Sequence, residues 1–80
     1  MNIVNDIPSE IRSAIETTIT GSVAQVTNPS AGHFEIRVKG AAFAGRSPLQ
    51  QQRLVLNAIA HLMKGDGAPV HAVDRIVVET

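Results

Sequence analysis

The chain has 80 residues, and its seven basic and seven acidic side chains leave no formal net charge, which argues against a surface built for nucleic acid or anionic lipid. Hydrophobic residues make up 44% of the sequence, which is typical of a globular protein rather than a disordered one. There is no cysteine, so the chain alone can form neither a disulfide nor a thiolate metal site.

The first predicted element is a helix that opens at Pro8-Ser9-Glu10 and stops at Gly21. Proline suits an early helical turn, and Glu10 lies where the helix dipole favours negative charge. One stripe of apolar residues at helical spacing is expected to face the core: Ile7, Ile11, Ala14, Ile15 and Ile19.

An antiparallel hairpin is predicted next. Val23 to Thr27 is typical of a short strand, and Asn28 to Gly32 is rich in residues that favour a turn. Phe34, Ile36 and Val38 then alternate with polar residues, which predicts a second strand with one buried face and one solvated face.

Gly40 to Gly45 is predicted to form a loop or a single helical turn before a long helix. Ser47 is the expected N-cap of that helix, with Pro48 at its first position. Gly65-Asp66-Gly67 is expected to end it, with Lys64 in the last turn. Its buried side is predicted to comprise Leu49, Val55, Leu56, Ile59, Ala60 and Met63.

A final strand is predicted from Ala72 to Glu79, since Ile76, Val77 and Val78 are β-branched. Because a helical crossover joins the second and third strands, these two strands should be parallel in one sheet. The predicted fold is α+β, in the order αββααβ, with helices on one face of a three-stranded mixed sheet. We expect residues 1–80 to form a single domain.

The apolar stretches are far too short to cross a bilayer, and the N-terminus lacks a basic region followed by an apolar run. We therefore expect a cytoplasmic protein that binds no membrane. Alone, it is expected to be a monomer or a weak homodimer.

The stretch from Phe43 to Ala72 carries three motifs in a distinctive order. They are Phe43-Ala44-Gly45, a helix start with Leu49-Gln50 and Arg53-Leu54-Val55, and Val70-His71-Ala72. This order closely resembles the BolA family, and the likeness begins near Ile7 and covers almost the whole chain. The resemblance implies the type II KH-like fold, which has the element order predicted above.

The three histidines differ in what they can do. A lone histidine inside a helix seldom ligates a metal, so His61 is assigned no role. From the residues alone, His33 and His71 are typical of exposed hydrogen-bonding side chains at strand ends. The BolA resemblance implies instead that His71 is an iron ligand, and that the loop between the first two strands supplies a second ligand, for which His33 is the candidate. No carboxylate stands at a telling spacing from either residue.

Two imidazoles cannot complete a four-coordinate site. In a [2Fe–2S] cluster, however, two histidines can hold one iron while cysteines hold the other, as in Rieske centres. The resemblance implies that a monothiol glutaredoxin supplies its active-site cysteine and a glutathione thiol, so the cluster is shared and the chain alone carries no cofactor. Lys39, Arg46 and Arg53 are candidate partner contacts, although each taken singly is more typical of a solvated surface.

Two departures from the family pattern affect these expectations. The long helix of the family commonly begins with Arg-His-Arg, whereas this chain has Gln51-Gln52-Arg53 and keeps only the last arginine. Many members also continue into a Thr-Pro-x-x-Trp helix, whereas this chain stops at Thr80. We therefore expect no terminal extension in the partner interface.

The function that the BolA resemblance implies is that of a non-enzymatic adaptor, which pairs with a monothiol glutaredoxin in iron–sulfur cluster trafficking or in redox or iron sensing. Two other functions compete with it. KH-like folds bind single strands, and BolA proteins are often described as transcription regulators. The Gly-x-x-Gly loop of KH domains is absent, because Gly40 and Gly45 have four residues between them rather than two, and no Tyr or Trp is available for stacking. We expect weak, non-specific nucleic-acid binding. An enzyme is the least supported alternative, because there is no cysteine nucleophile and no carboxylate pair with an apparent role.

Overall fold

The sheet at the centre of the molecule has the strand order β1-β2-β3, with β1 antiparallel and β3 parallel to β2. This computed structural model describes residues 6–80. The mixed sheet and the α+β class predicted from the sequence are confirmed. The elements are α1 (Ile7–Thr18), β1 (Val23–Ser30), β2 (His33–Lys39), a 3-10 turn (Ala41–Phe43), α2 (Pro48–Ala58), a second 3-10 turn (Ala60–Leu62) and β3 (Ala72–Glu79).

The core lies between one face of the sheet and the two helices. Phe34, Ile36 and Val38 are buried and the residues between them are exposed, so the period-two pattern of β2 is confirmed. Because strand side chains alternate between faces, the helices must cover a single face of the sheet. The buried apolar residues are Ile11, Ile15, Ile19, Ala24, Phe34, Ile36, Val38, Phe43, Val55, Ala58, Ile59 and Val70.

The hairpin turn is shorter than predicted. The expectation that Asn28 to Gly32 is all turn is wrong, because β1 continues to Ser30 and only Ala31 and Gly32 form the turn. Proline is tolerated at position 29 because β1 is an edge strand, and the pairing shifts register between Thr27 and Ser30. The Asn28 side-chain amide donates to the carbonyls of Ser30 and His33, which ties the two strands together at this end.

The start of α2 is confirmed and its end is not. Ser47 is the N-cap, and its hydroxyl and the Gln50 side chain form a reciprocal capping box. The predicted stop at Gly65 is wrong, because α2 ends at Ala58 and a 3-10 turn follows. The N–H of Val70 bonds to the carbonyl of Leu62, so the chain is already turning back towards β3 there.

The predicted buried side of α2 also needs correction. Leu49 is 57% exposed, because only the C-terminal half of α2, from Val55 onwards, packs against the core. Leu56 is partly exposed, whereas Ile59 is fully buried. The helical turn predicted near Gly40 is the 3-10 turn that places Phe43 in the core.

Replacing Ile59 with alanine should therefore destabilise the fold by about 2–5 kcal/mol, because a fully buried side chain is lost and a cavity is left. Leu49→Ala is the matched control and should cost less than about 0.5 kcal/mol, since its side chain is mostly in solvent. Urea unfolding followed by circular dichroism measures both values. Equal losses for the two variants would contradict this assignment of the helix face.

The N-terminus of α1 is capped by Asp6, two residues before the predicted start of the helix at Pro8. Its carboxylate accepts hydrogen bonds from the Ser9 hydroxyl (2.7 Å) and the Ser9 backbone N–H (3.3 Å). These hydrogen bonds, the hydroxyl first, lower the pKa of Asp6 below its ordinary value of 3.8. The folded state therefore favours the ionised form of the Asp6 carboxylate, and this ionised form in turn stabilises the folded state.

Asp6→Ala should lower the thermal midpoint at neutral pH. A lowered pKa in the folded state means that the carboxylate stabilises the fold fully above the ordinary pKa and loses that effect as the pH falls through the folded value. The difference between wild type and Asp6→Ala should shrink below pH 3.8. Asp6→Asn keeps a neutral cap, so its midpoint should lack this acid-dependent contribution. A constant difference between wild type and Asp6→Ala from pH 7 to pH 2 would count against a role for the ionised cap.

Between residues 6 and 80, no helix combines the length and the hydropathy needed to cross a membrane.

Candidate functional site

One backbone oxygen joins the hairpin turn to the start of β3. The carbonyl of Gly32 accepts hydrogen bonds from the N–H of His71 (2.9 Å) and the N–H of Ala72 (3.0 Å). His33 follows Gly32 directly and pairs with Ala72 across the β2–β3 ladder. Because neighbouring strands lie about 4.8 Å apart, the backbones of His33 and His71 are close neighbours. The structure therefore brings these two predicted site residues to one end of the sheet.

The imidazole of His71 packs against Gly32. A methyl group at position 32 would lie 2.8 Å from Cγ and 3.0 Å from Nδ1 of His71, so any side chain there would displace the ring. Gly32 also has a φ of +77°, which other residues rarely adopt. His71 itself is exposed, while the preceding Val70 is buried and anchors the chain.

The imidazole of His33 is held by a carboxylate. Its Nδ1 lies 3.1 Å from Oδ1 of Asp74, and its side chain is 45% exposed. With the Asp74 carboxylate as acceptor, the Nδ1–H tautomer of His33 is the one that fits this contact, and the neutral ring of that tautomer has its lone pair on Nε2. His33 can therefore offer Nε2 to a ligand.

Asp74 is not among the site residues predicted from the sequence, because its contact with His33 depends on a β-bulge. Phe34 pairs with Val73 and Glu35 pairs with Arg75, so Asp74 is an extra residue with no counterpart on β2. Bulges often re-aim side chains beside functional sites. The two residues are 41 positions apart in the chain, and nothing in the spacing indicated that they would meet.

The three basic candidates lie on different parts of the fold. β2 runs from His33 to Lys39, so Lys39 is about 20 Å from the histidine end at the usual rise of a strand. Arg46 lies between the first 3-10 turn and α2, and its Nε donates to the carbonyl of Ala42 at 3.0 Å. Arg53 is exposed on α2. The five predicted site residues therefore do not form one cluster.

His61 lies on a different surface. It is exposed and lies in the second 3-10 turn. The prediction that it lies inside the long helix is wrong. A shallow groove connects it with residues of α1 such as Ser13 and Thr17. It is a natural control for experiments on the other two histidines.

Comparison with known proteins identifies the family. A sequence profile for the BolA-like protein matches residues 12–78. This chain belongs to the BolA family. Human BolA-like protein 1 is 33% identical over an alignment that covers 86% of this chain and 55% of the human protein, so the chain spans about half the length of the curated relatives it matches.

Solved BolA structures share the fold. A BolA homologue from Coxiella burnetii has a TM-score of 0.75 at 29% identity, covering 98% of this chain and 92% of that one. BolA1 from Arabidopsis thaliana has a TM-score of 0.79 at 18% identity, covering 96% of this chain and 94% of that one. At that identity, the Arabidopsis likeness concerns the fold alone.

The two histidines at one end of the sheet could supply only some of the ligands of a metal site. Within residues 6–80, no three His, Asp or Glu side chains converge closely enough to hold a metal ion. His33 and His71 offer imidazole nitrogens, which are suitable ligands for the histidine-held iron of a [2Fe–2S] cluster. The remaining ligands would have to come from another molecule.

Gly32→Ala should displace the His71 ring, whereas Gly45→Ala should not. Both glycines have a φ of +77°, so both variants carry the same backbone strain of about 1–2 kcal/mol, but nothing lies within 4 Å of a methyl group at position 45. The ¹H and ¹⁵N shifts of the His71 imidazole should change in Gly32→Ala only. Unchanged His71 shifts in a folded Gly32→Ala variant would contradict the packing described here.

Proposed function

We propose that this BolA-family chain is a non-enzymatic adaptor that pairs with a monothiol glutaredoxin and shares a [2Fe–2S] cluster with it, in cluster trafficking or in redox or iron sensing. The observation that supports the proposal best is the pair of exposed histidines, His33 and His71, held at one end of the sheet. The chain contributes imidazoles and has no cysteine, so the partner supplies the thiolates.

The two histidines have different supports in the structure. His71 is the principal ligand, as the BolA resemblance implies; its backbone N–H bonds to the Gly32 carbonyl, and its ring packs against Gly32. His33 is the second ligand and presents Nε2, since Asp74 occupies Nδ1. A carboxylate behind a ligating histidine is the usual way to fix the tautomer and orientation of the ring. When bound, the cluster supplies a one-electron redox centre and a transferable iron–sulfur unit.

The surroundings of the histidines limit the cost of binding. A side chain that is already held near its bound geometry loses less conformational freedom when a partner docks. The hairpin turn and the start of β3 are joined by two hydrogen bonds at Gly32, so these backbones need not reorganise. Exposure of both rings leaves room for the partner's thiolates.

Among the basic residues, Arg53 is the preferred partner contact. A standard interface buries about 800 Å² on each partner, which corresponds to a patch about 30 Å across. Lys39 lies about 20 Å from the histidines along the sheet, which is outside a patch of this size centred on His71, and Arg46 is bonded to the carbonyl of Ala42. We assign them a steering role in association rather than a share of the affinity.

The nucleic-acid alternative gains no specific support from the structure. The segment between Gly40 and Gly45 is a 3-10 turn, and its Phe43 is fully buried in the core. A phosphate-clamping loop needs an exposed backbone between its glycines. We retain the expectation that any nucleic-acid binding is weak, non-specific and salt-sensitive.

Replacing His71 with alanine should leave the fold nearly intact, because its ring is exposed, and should alter the spectrum of the shared cluster. The measurement is visible absorption and circular dichroism after mixing with a cluster-loaded monothiol glutaredoxin. His33→Ala should act in the same direction but less completely, since water or another side chain can fill that position. His61→Ala is the matched control and should leave the spectrum unchanged. A cluster spectrum that does not change in His71→Ala would end the iron-ligand proposal.

Asp74→Ala tests the support behind His33. Loss of a carboxylate behind a ligating histidine typically weakens metal binding by about 10–100-fold. We therefore expect weaker formation of the mixed cluster in Asp74→Ala, measured by titration with the loaded glutaredoxin. In the double variant His33→Ala/Asp74→Ala, the second substitution should add nothing. Independent effects of the two substitutions would show that Asp74 does not act through His33.

A further inference from the structure

The two outer edges of the sheet are built differently. The edge of β1 is closed, because Oε2 of Glu16 on α1 accepts the N–H of Ala24 at 2.9 Å. Pro29 further along β1 has no N–H to offer, and the register shift between Thr27 and Ser30 interrupts the strand. Charged caps, prolines and irregular pairing are the usual ways in which proteins protect an edge from further pairing.

The edge of β3 is open within residues 6–80, since β2 is its only partner in that part of the chain. The Gly40 N–H bonds to the Glu79 carbonyl at 3.0 Å, so the peptide groups of Glu79 face β2. Because direction alternates along a strand, Val77 and Arg75 also face β2, whereas the N–H and C=O of Ile76 and Val78 point outwards.

The regular part of this edge is short, with three apolar residues at its centre and a charged residue at each end. The bulge at Asp74 ends regular pairing, so the straight segment runs from Arg75 to Glu79. Ile76, Val77 and Val78 are each partly exposed despite being large and apolar. The segment contains neither proline nor lysine, so it lacks the protection found on β1.

We propose that the β3 edge is the surface through which two copies of this chain associate, by antiparallel pairing of Arg75–Glu79 with the same segment of the second copy. The two sheets would join into one continuous sheet with a two-fold axis at Val77. This surface lies beyond the bulge from the histidine end, and the inference does not rest on the proposed function.

Charge and backbone direction select the register. With Val77 opposite Val77 of the second copy, Ile76 faces Val78, and these outward-facing residues exchange about four backbone hydrogen bonds. The same register places Arg75 opposite Glu79 twice, once on each side of the axis. Shifting the axis to Ile76 would place Val78 opposite the bulged Asp74, and shifting it to Val78 would place the apolar Val77 opposite Glu79. A second copy is therefore a complementary occupant of this edge.

Charge reversal tests the register directly. Arg75→Glu and Glu79→Arg each place like charges opposite one another twice and should weaken dimerisation by about tenfold or more, because opposed like charges destabilise cross-strand pairs. The double variant Arg75→Glu/Glu79→Arg restores both opposite-charge pairs and should recover wild-type dimerisation. Sedimentation equilibrium over a range of concentrations measures the dissociation constant, and far-ultraviolet circular dichroism confirms that each variant is folded.

Amide hydrogen exchange supplies a second test that needs no variant. The Ile76 and Val78 amides should gain protection as the protein concentration rises, whereas the Arg75 and Val77 amides, which bond to β2, should be protected at every concentration. A wild-type chain that remains monomeric up to about 1 mM would overturn the proposal. The proposal would also be overturned if the single charge reversals left the dissociation constant of the dimer unchanged, or if the double variant failed to restore it.

Discussion

The candidate site depends on one backbone interaction, the carbonyl of Gly32 accepting from both His71 and Ala72. This oxygen fixes where β3 begins relative to the hairpin turn and therefore sets the β2–β3 register up to the bulge, where His33 pairs with Ala72 and Phe34 with Val73. The register brings His33 beside the start of β3 and, through the bulge, brings Asp74 to His33. If the Gly32 contacts were lost, neither imidazole would keep its position.

The parallel pairing of β2 and β3 explains why these residues can meet at all. A parallel neighbour requires the chain to return to the end of the sheet from which β2 started, and α2 with its following 3-10 turn makes that return. His33 and His71 are far apart in sequence but begin adjacent strands at the same end. The far end of the sheet, where Lys39 pairs with Glu79, is separated from them by the length of β2. The proposed cluster ligation therefore concerns one end of the sheet only.

Much of the fold could be predicted from the sequence because its signals are local. The alternation at Phe34, Ile36 and Val38 and the Ser47-Pro48 cap each depend on a few neighbouring residues. The end of α2 could not be predicted, because it is decided by the return of the chain at Leu62 and Val70 rather than by the glycines that follow. The length of β1 was also missed, since the turn propensity of Asn28 and Pro29 is overridden by pairing along an edge that accepts proline.

The site was less predictable than the fold, for a physical reason. Nothing in the spacing of His33 and His71 indicates a shared site, and their proposed ligand role came from the BolA resemblance rather than from the residues. Neither the residue spacing nor the BolA resemblance indicated Asp74, because its contact with His33 depends on a single extra residue in β3. The structure shows, in addition to the two histidines, the residues that hold their rings: Gly32 beside His71 and Asp74 beside His33.

The most direct test of the central claim is electron paramagnetic resonance of the reduced mixed cluster, with ¹⁵N-histidine incorporated into this chain alone. If imidazole nitrogens of His33 and His71 ligate iron, the nitrogen hyperfine couplings of the cluster will change from those of ¹⁴N to those of ¹⁵N. The coupling assigned to His71 will disappear in His71→Ala. Couplings that are identical for labelled and unlabelled chains would show that no histidine of this protein binds the cluster, and would contradict the account.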